Sequence, residues 1–422
     1  MKTKIWCLAA GIIALFAAIT HAFDNPHFYR ASYLFSEPRF QRNLLTTFDI
    51  TLGGGSTDKA RNQNHKTVPL LNIIGLHNMH ELGVNVPNKN LADPRDVILT
   101  QLALTPARDR FATFSIDGTF SIFEADFSYI QNTYRGIFLQ AYLPVRKLEI
   151  KNIKFIDLSP TDDAFSNVKT PIWQVFLQQF DNILQKYELS KEETDQTGVG
   201  DLTFFAGWTH NYQETKLLDF VDITLRLGLL APTGKTRDED EIFSLPLGYN
   251  GHWGIPFVAD VAIGFYDWLT LGAHLQTMFF TKRTAEIRMK TGPQQSGLIK
   301  LAKGLAEIDK GAIWNAGGYI KADHFASGLS ITLGYSFTSQ NSDSICPCKP
   351  NEFDPAIVNS DQILQGWKMH TINFFIEYDF TEQDSQFGPR LGFLYNTQVG
   401  GKRVFKTNIL GGNIGLDIAW DL

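Results

Sequence analysis

Asp117, Asp222, Arg226, Asp260, His274, Lys321, Glu377, Arg390 and Asp417 all fall on the polar side of segments in which polar and apolar residues alternate. Both signs of charge are present. Charges gathered inside a protein need partners or water, because desolvating a lone ion costs several kcal/mol. Such a set does one of two things. It cross-links and hydrates an interior that it stiffens, or it lines a path and sorts polar solutes by charge. The first is the plainer reading, and the sequence does not say which of these charges share a height.

Other reactive residues do not assemble into a catalyst. His274 has Gly272 and Gln276 two residues to either side, so no Ser accompanies it on its face. Ser339 and His370 are the nearest Ser–His pair, but they belong to different segments with a long link between them. His210 falls at the opposite end of its segment from any surface site. There is no phosphate loop, dinucleotide fingerprint or metal-ligand spacing. No enzyme activity, metal or cofactor is expected. Cys346-Pro-Cys348 fits a strained disulfide, a metal-ligand pair or two idle thiols. Without a neighbouring His a zinc site is weak, so a disulfide or another structural role is expected. Arg237-Asp-Glu-Asp-Glu241 reads as a solvated loop tip. Binding of divalent cations that bridge lipopolysaccharide is the lesser reading.

The segments that carry the charges alternate with period two. Val221, Ile223, Leu225, Leu227 and Leu229 oppose Asp222, Thr224, Arg226 and Gly228. Ile372, Phe374, Ile376, Tyr378 and Phe380 oppose Thr371, Asn373, Phe375, Glu377 and Asp379. That is the pattern of β-strands with one greasy face. A soluble sandwich alternates too, with the apolar face as core. A membrane barrel points it at lipid.

Composition and links separate these. Charged residues are 19% and aromatics 13% of the 422 residues, with 33 Phe and 34 Gly. Soluble domains average about 25% charged. The formal net charge of -6 gives no basic footprint for nucleic acid. Twelve strands are expected, near 44–53, 112–129, 135–155, 199–211, 217–231, 254–266, 268–290, 311–322, 328–340, 369–380, 388–399 and 405–420. Alternation flips between Ile122 and Phe123, which suggests a bulge in the second strand. The links sort by parity. Those at 54–111, 156–198, 232–253, 291–310 and 341–368 are long, and those between them are short. Long outside loops and short periplasmic turns are the rule for outer-membrane barrels, and a Greek-key sandwich has no reason to obey it.

The ends agree. Lys2 and Lys4 precede an apolar run, Ile5 to Ile19, and Thr20-His21-Ala22 offers a cleavage site, so residues 1–22 read as a secretory signal peptide. Cys7 lies inside the run, which disfavours a lipoprotein. Residues 23–43 form an N-terminal lead or plug, and 44–422 the barrel. Near the C-terminus, Asn413, Gly415, Asp417 and Ala419 alternate with Ile414, Leu416, Ile418 and Trp420. Alternation ending in an aromatic resembles the signal read by the barrel-insertion machinery, with Asn413, Gly415, Ile418 and Trp420 its key positions; here Asp421 and Leu422 follow the aromatic. This strand is expected to close the barrel against 44–53. Val68 to Gly75 is too apolar for a solvated link, so it packs into the barrel mouth or adds two strands, giving fourteen. Trp173 to Leu189 has helical spacing and reads as a loop helix over the barrel.

Gly198-Val-Gly-Asp201 opens one strand, and Pro232-Thr-Gly234 closes the next. This pairing resembles the outer-membrane barrels of aromatic-degradation pathways, relatives of the long-chain fatty-acid transporters. The resemblance implies passive diffusion of small molecules, hydrophobic ones included, through a barrel with an N-terminal plug. It carries over no substrate-binding residue. The expected fold class is all-β, a transmembrane antiparallel barrel. The expected place is the bacterial outer membrane, with its lipid and lipopolysaccharide, the insertion machinery and a small solute as partners. A structural or surface-interaction barrel with a closed lumen is the alternative.

Overall fold

The computed structural model describes residues 45–105, 110–159, 171–213, 218–266, 268–326, 328–381 and 385–420. The leader expected at 1–22 and the lead or plug at 23–43 lie outside them. The wall consists of β1 (Leu45–Thr57), β2 (Thr113–Asn132), β3 (Ile137–Asp157), β4 (Leu202–Gln213), β5 (Phe220–Ala231) and β6 (Gly254–Phe265). It continues through β7 (Leu269–Phe280), β8 (Ile313–Ala326), β9 (Leu329–Gln340), β10 (Lys368–Asp379), β11 (Phe387–Lys402) and β12 (Asn408–Ala419). Each strand pairs antiparallel with its neighbours in sequence, and β12 pairs with β1 from Leu45↔Ala419 to Gly54↔Leu410. The sheet is therefore a closed barrel of twelve strands with no free edge along the wall.

Alternation decides which face meets which solvent. Ile414, Leu410, Leu227, Leu333 and Phe393 stand out from the wall, each between 44% and 58% exposed. Thr224, Arg226, Asn373, Asn413 and Asp417 point inward and are buried. A strand of 12 residues is about 40 Å long and rises about 28 Å at a 45° tilt, close to the apolar thickness of a bilayer. The outer surface is thus a greasy belt of membrane height. Tyr134, Tyr212, Tyr266, Trp268 and Trp420 lie exposed at its lower rim, as an aromatic girdle requires. No helix among the described residues is long and apolar enough to cross a membrane.

β2 and β3 depart from this height. They have 20 and 21 residues, so their upper halves rise above the belt as a fin. Two short strands, His77–Asn78 and Thr194–Val199, flank the fin. Around it the six links on that side pack into one dome. Its core joins Leu70, Leu71 and Ile73 to Trp173, Phe176, Phe243, Leu301, Trp367 and Phe405, residues drawn from all six links. The helix expected over the barrel is α2 (Pro171–Lys186), which buries Trp173, Phe176, Phe180, Ile183 and Leu184.

Three expectations need correction. Residues 68–75 do not join the wall; Leu70–Asn72 form a buried turn in the dome, so the count is twelve. The seventh strand ends at Phe280, and Arg283–Arg288 joins a separate small sheet with Lys303–Asp309 and Ser344–Pro347. No bulge separates Ile122 from Phe123. Even-numbered residues of β2 face inward throughout, but Phe114, Ile116, Phe120 and Ile122 meet the apolar dome while Glu124 is buried against Arg146 and Asp126 meets the lumen. The inner environment changes along the strand, and the parity does not. The irregularity lies higher, between Asp117 and Thr119 opposite Lys154 and Lys151, where Asn152 adopts a left-handed φ of 56°.

Candidate functional site

Below the dome the barrel encloses a cavity of about 310 Å³ to which every wall strand contributes. Arg226, Asp260, His274, Lys321, Glu377 and Arg390 line it. Asp417 sits beside it through Arg390. Asp222 faces inward at the lower end of β5, where Asn211 donates to it at 2.5 Å, and is not part of the lining. Asp117 does not line the lumen. It is on the outer side of β2 and pairs in register with Lys154 on the fin. The flip read at Ile122 misplaced Asp117; beyond that point the same reading turns Glu124 and Asp126 inward, and Asp126 does line the cavity. Asp49 of β1 and Arg146 of β3 are further lining residues that sequence reasoning missed. An unbroken two-residue periodicity carried down from Phe114 would have placed Asp117 on the outer side.

The charges are paired on opposite walls. Arg390 of β11 meets Glu377 of β10, Asp417 of β12 and Asp49 of β1, each at 3.0 Å. Thr47 also donates to Asp417 at 2.7 Å. Half-way round the ring, Arg226 of β5 pairs with Asp260 of β6 at 2.5 Å and donates to Gln140 at 3.3 Å. Between them His274 is bonded to Asn315, whose amide donates to Thr338 at 2.6 Å. Tyr142 donates to Asp126 at 2.6 Å. Glycines keep the wall thin. A Cβ at Gly207, Gly228 or Gly272 would strike Phe138, Phe205 or Tyr319, the ring of an adjacent strand that lies over it. These rings lie flat on the wall, which leaves the middle of the barrel free for the cavity.

The cavity is not uniform. Leu230, Val258, Met278 and Leu394 line its upper part below the dome, and the Arg390 cluster lies toward the lower end. Arg146 and Asp201 mark the junction. Arg146 pairs with Glu124 at 2.9 Å, both nearly fully buried, and donates to the Leu247 carbonyl at 2.7 Å. Asp201 accepts from the backbone N–H of Gly234 at 2.8 Å and of Tyr249 at 2.5 Å. Thr233 closes the same clasp, donating to the Gly200 carbonyl at 2.7 Å and accepting from the Leu202 N–H at 3.0 Å. A Cβ on Gly248 would occupy the Asp201 carboxylate. The Gly-x-Gly-Asp and Pro-Thr-Gly motifs are thus two halves of one clasp that seats the 232–253 link on the barrel rim. Burial pushes the Asp201 carboxyl up from its ordinary range, and the backbone donors oppose this.

Two arginines tie the dome together. Arg288 donates to the carbonyls of Tyr187, Glu239 and Leu301 and pairs with Asp240 at 2.8 Å, joining three links. Arg403 donates to the Gly366 carbonyl, Gln63 and Gln362, joining the other three. His77 stitches the two groups together: it is bonded to the Leu71 carbonyl at 2.9 Å and accepts from the Leu298 N–H at 3.1 Å. Burial lowers its pKa to about 4.

Cys346 and Cys348 are free thiols, exposed on one side of the Ser344–Pro347 edge. Pairing with Lys303–Asp309 holds that segment extended. Same-face Cα atoms two residues apart on a strand are about 6.6 Å apart, near the limit a disulfide spans. The two thiols are not bonded to each other in this structure. No group of three or more His, Cys, Asp or Glu fit to hold a metal occurs among the described residues. Asp238 to Glu241 is more than a loop tip, because Asp240 is tied to Arg288 and Lys303. His370 faces outward, bonded to the Tyr335 hydroxyl, and lies opposite Phe337, while Ser339 lies opposite Lys368.

No protein-family model and no curated protein matches the chain. Among solved structures it is similar to an outer-membrane channel from Pseudomonas putida F1, at 11% identity and a TM-score of 0.46, over 94% of this chain and 99% of that one. It is similar to the translocator domain of the autotransporter NalP from Neisseria meningitidis, at 8% identity and 0.38, over 90% of each. It is also similar to the monoaromatic hydrocarbon channel CymD, at 7% identity and 0.31, over 90% of this chain and 89% of that one. In this chain the greasy belt and charged interior are those of an outer-membrane type of barrel.

Proposed function

We propose that the chain is an outer-membrane transport barrel that admits small solutes passively to the mid-barrel cavity, beneath a dome that filters them. The cavity carries this reading. A purely structural barrel fills its interior with interlocked side chains, whereas here all twelve strands border a space that holds both charge and apolar surface. Leu230, Val258, Met278 and Leu394 suit the apolar part of a solute, and the Arg390 and Arg226 clusters suit its polar part. Residues 1–22 are read as a leader removed on export, 23–43 as a lead or plug, and Asn413, Gly415, Ile418 and Trp420 as the insertion signal. Purified protein in planar bilayers should give single-channel steps, and liposomes holding it should swell in small solutes. Absence of both responses would overturn the proposal.

One observation favours a second reading. The dome is a continuous apolar core, which suits a closed barrel presenting a rigid surface to a partner. If Arg288→Ala loosens the dome, as protease sensitivity would report, and conductance stays at zero, the closed reading prevails.

A further inference from the structure

The upper ends of β10 and β11 carry a like-charge pair that no opposite charge bridges, unlike Glu149 and Asp195 on the fin, which Lys147 joins. Lys368 and Lys402 stand directly opposite each other on neighbouring strands. Like charges facing across a strand pair are destabilising. The surroundings add to the conflict. Arg61 reaches the Val399 carbonyl at 3.1 Å, and its Nε is buried without a partner. His65 is bonded to the Gly401 carbonyl at 3.0 Å. His370 lies opposite Gly400, and the charges acting on it are those of His65, Lys368 and Arg61. Among the described residues, none of Arg61, Lys368 and Lys402 has an ion-pair partner. On the fin, by contrast, Lys147 and Lys151 are both matched by Glu149.

The place of this cluster is informative. It lies at the rim between belt and dome, on the outward side of the wall. Directly below it, Tyr335, Tyr395 and Val399 face lipid, 45%, 37% and 45% exposed. A molecule seated here would present acyl chains to that surface and an anion to the cations above.

We propose that Arg61, His65, Lys368, His370 and Lys402 form a binding site for the phosphorylated head group of an outer-leaflet glycolipid. The site rests on the outer-membrane reading proposed above, with the long links and their dome on the outer side. Guanidinium and ammonium groups supply the charge-assisted bonds a phosphate takes, and an anion between Lys368 and Lys402 removes their repulsion. Basic groups at a membrane surface each contribute to such binding.

The test uses the full chain reconstituted in phosphatidylcholine vesicles that contain diphosphorylated lipid A. The lipid retained after detergent extraction is counted by native mass spectrometry. Wild type should retain lipid A, and K368Q/K402Q should bind it roughly thirtyfold more weakly, from about 1 kcal/mol for each lysine. K368R/K402R should keep binding, and heat-modifiable mobility on gels shows that each variant folds. Equal retention by K368Q/K402Q, or equal retention of dephosphorylated lipid A, would overturn the site. Inorganic phosphate binding as tightly as lipid A would assign it to a free anion and overturn the lipid proposal. Conductance is read in the same vesicles. Lipid retention without conductance would sink the channel reading and leave this site standing.

Discussion

The wall and the dome use similar residues in reverse. In the wall, Leu227, Leu333 and Ile414 face out and Arg226, Arg390 and Asp417 face in. In the dome, Trp173, Phe176 and Phe405 are fully or almost fully buried, and arginines bind the periphery and junctions. The sequence of β2 crosses from one regime to the other without changing its backbone. Solvent on each side sets the polarity of a face, and a strand's period says only where the faces are.

Breaking the ion cluster of the wall or the apolar core of the dome should have the largest effect. Arg390→Ala leaves Asp49, Glu377 and Asp417 without their shared cation, an expected loss of about 3–5 kcal/mol. Urea unfolding of the barrel in vesicles reads it; a loss under 1 kcal/mol would mean that water alone satisfies those carboxylates. In the dome, Trp173→Ala opens a core cavity worth about 3–5 kcal/mol. Proteolysis should then cut the dome while the barrel keeps its heat-modifiable mobility. If both melt together, the two regions are one cooperative unit.

A charge on the lipid face tests the reversal itself. Ile414→Arg, at the middle of β12, should cost about 2–4 kcal/mol of insertion free energy, and Asn413→Arg much less. Ile418→Arg should fall between them, since the penalty fades toward the interface. Folding yields into vesicles compare the three, and equal yields would count against a lipid-facing belt.

Acid should loosen the dome before the wall. His77 is neutral in the folded dome, with its pKa lowered from 6.5 to about 4 by burial. The unfolded chain binds that proton first. Stability from this group is therefore complete above about pH 6.5 and is lost as pH falls toward 4, by about 3 kcal/mol at most. The dome's urea midpoint should drop across that window, and His77→Gln should flatten the drop. The smallest expected effect is at the clasp. Thr233→Val removes two hydrogen bonds of its hydroxyl, about 1 kcal/mol, and faster hydrogen exchange at Leu202 would report it.

The wall was legible in the sequence and most of the dome was not. Ile414 to Trp420 gave the face and partner of the closing strand because lipid on one side and lumen on the other impose a strict period of two. The dome has one solvent and no repeat. Helix α2 could be read from its apolar stripe. Helix α1 (Pro94–Leu104) was passed over, although Asp93 caps it and Pro94 opens it, because its apolar face is short. The small sheet of 283–288, 303–309 and 344–347 depends on contacts between links and has no local signal. The clasp was visible only as two motifs whose meeting needed the fold.

The first and last wall strands meet in β1–β12, and the links beyond them meet again, where Lys59–Arg61 pairs with Val404–Phe405. That second meeting joins segments more than 300 positions apart on the chain, the costliest kind of contact to form early. A half-built barrel cannot hold the two segments together, so its mouth stays unsealed during assembly. Pairing of Lys59–Arg61 with Val404–Phe405 is thus expected only once β1 and β12 have closed the circle, so it reports closure.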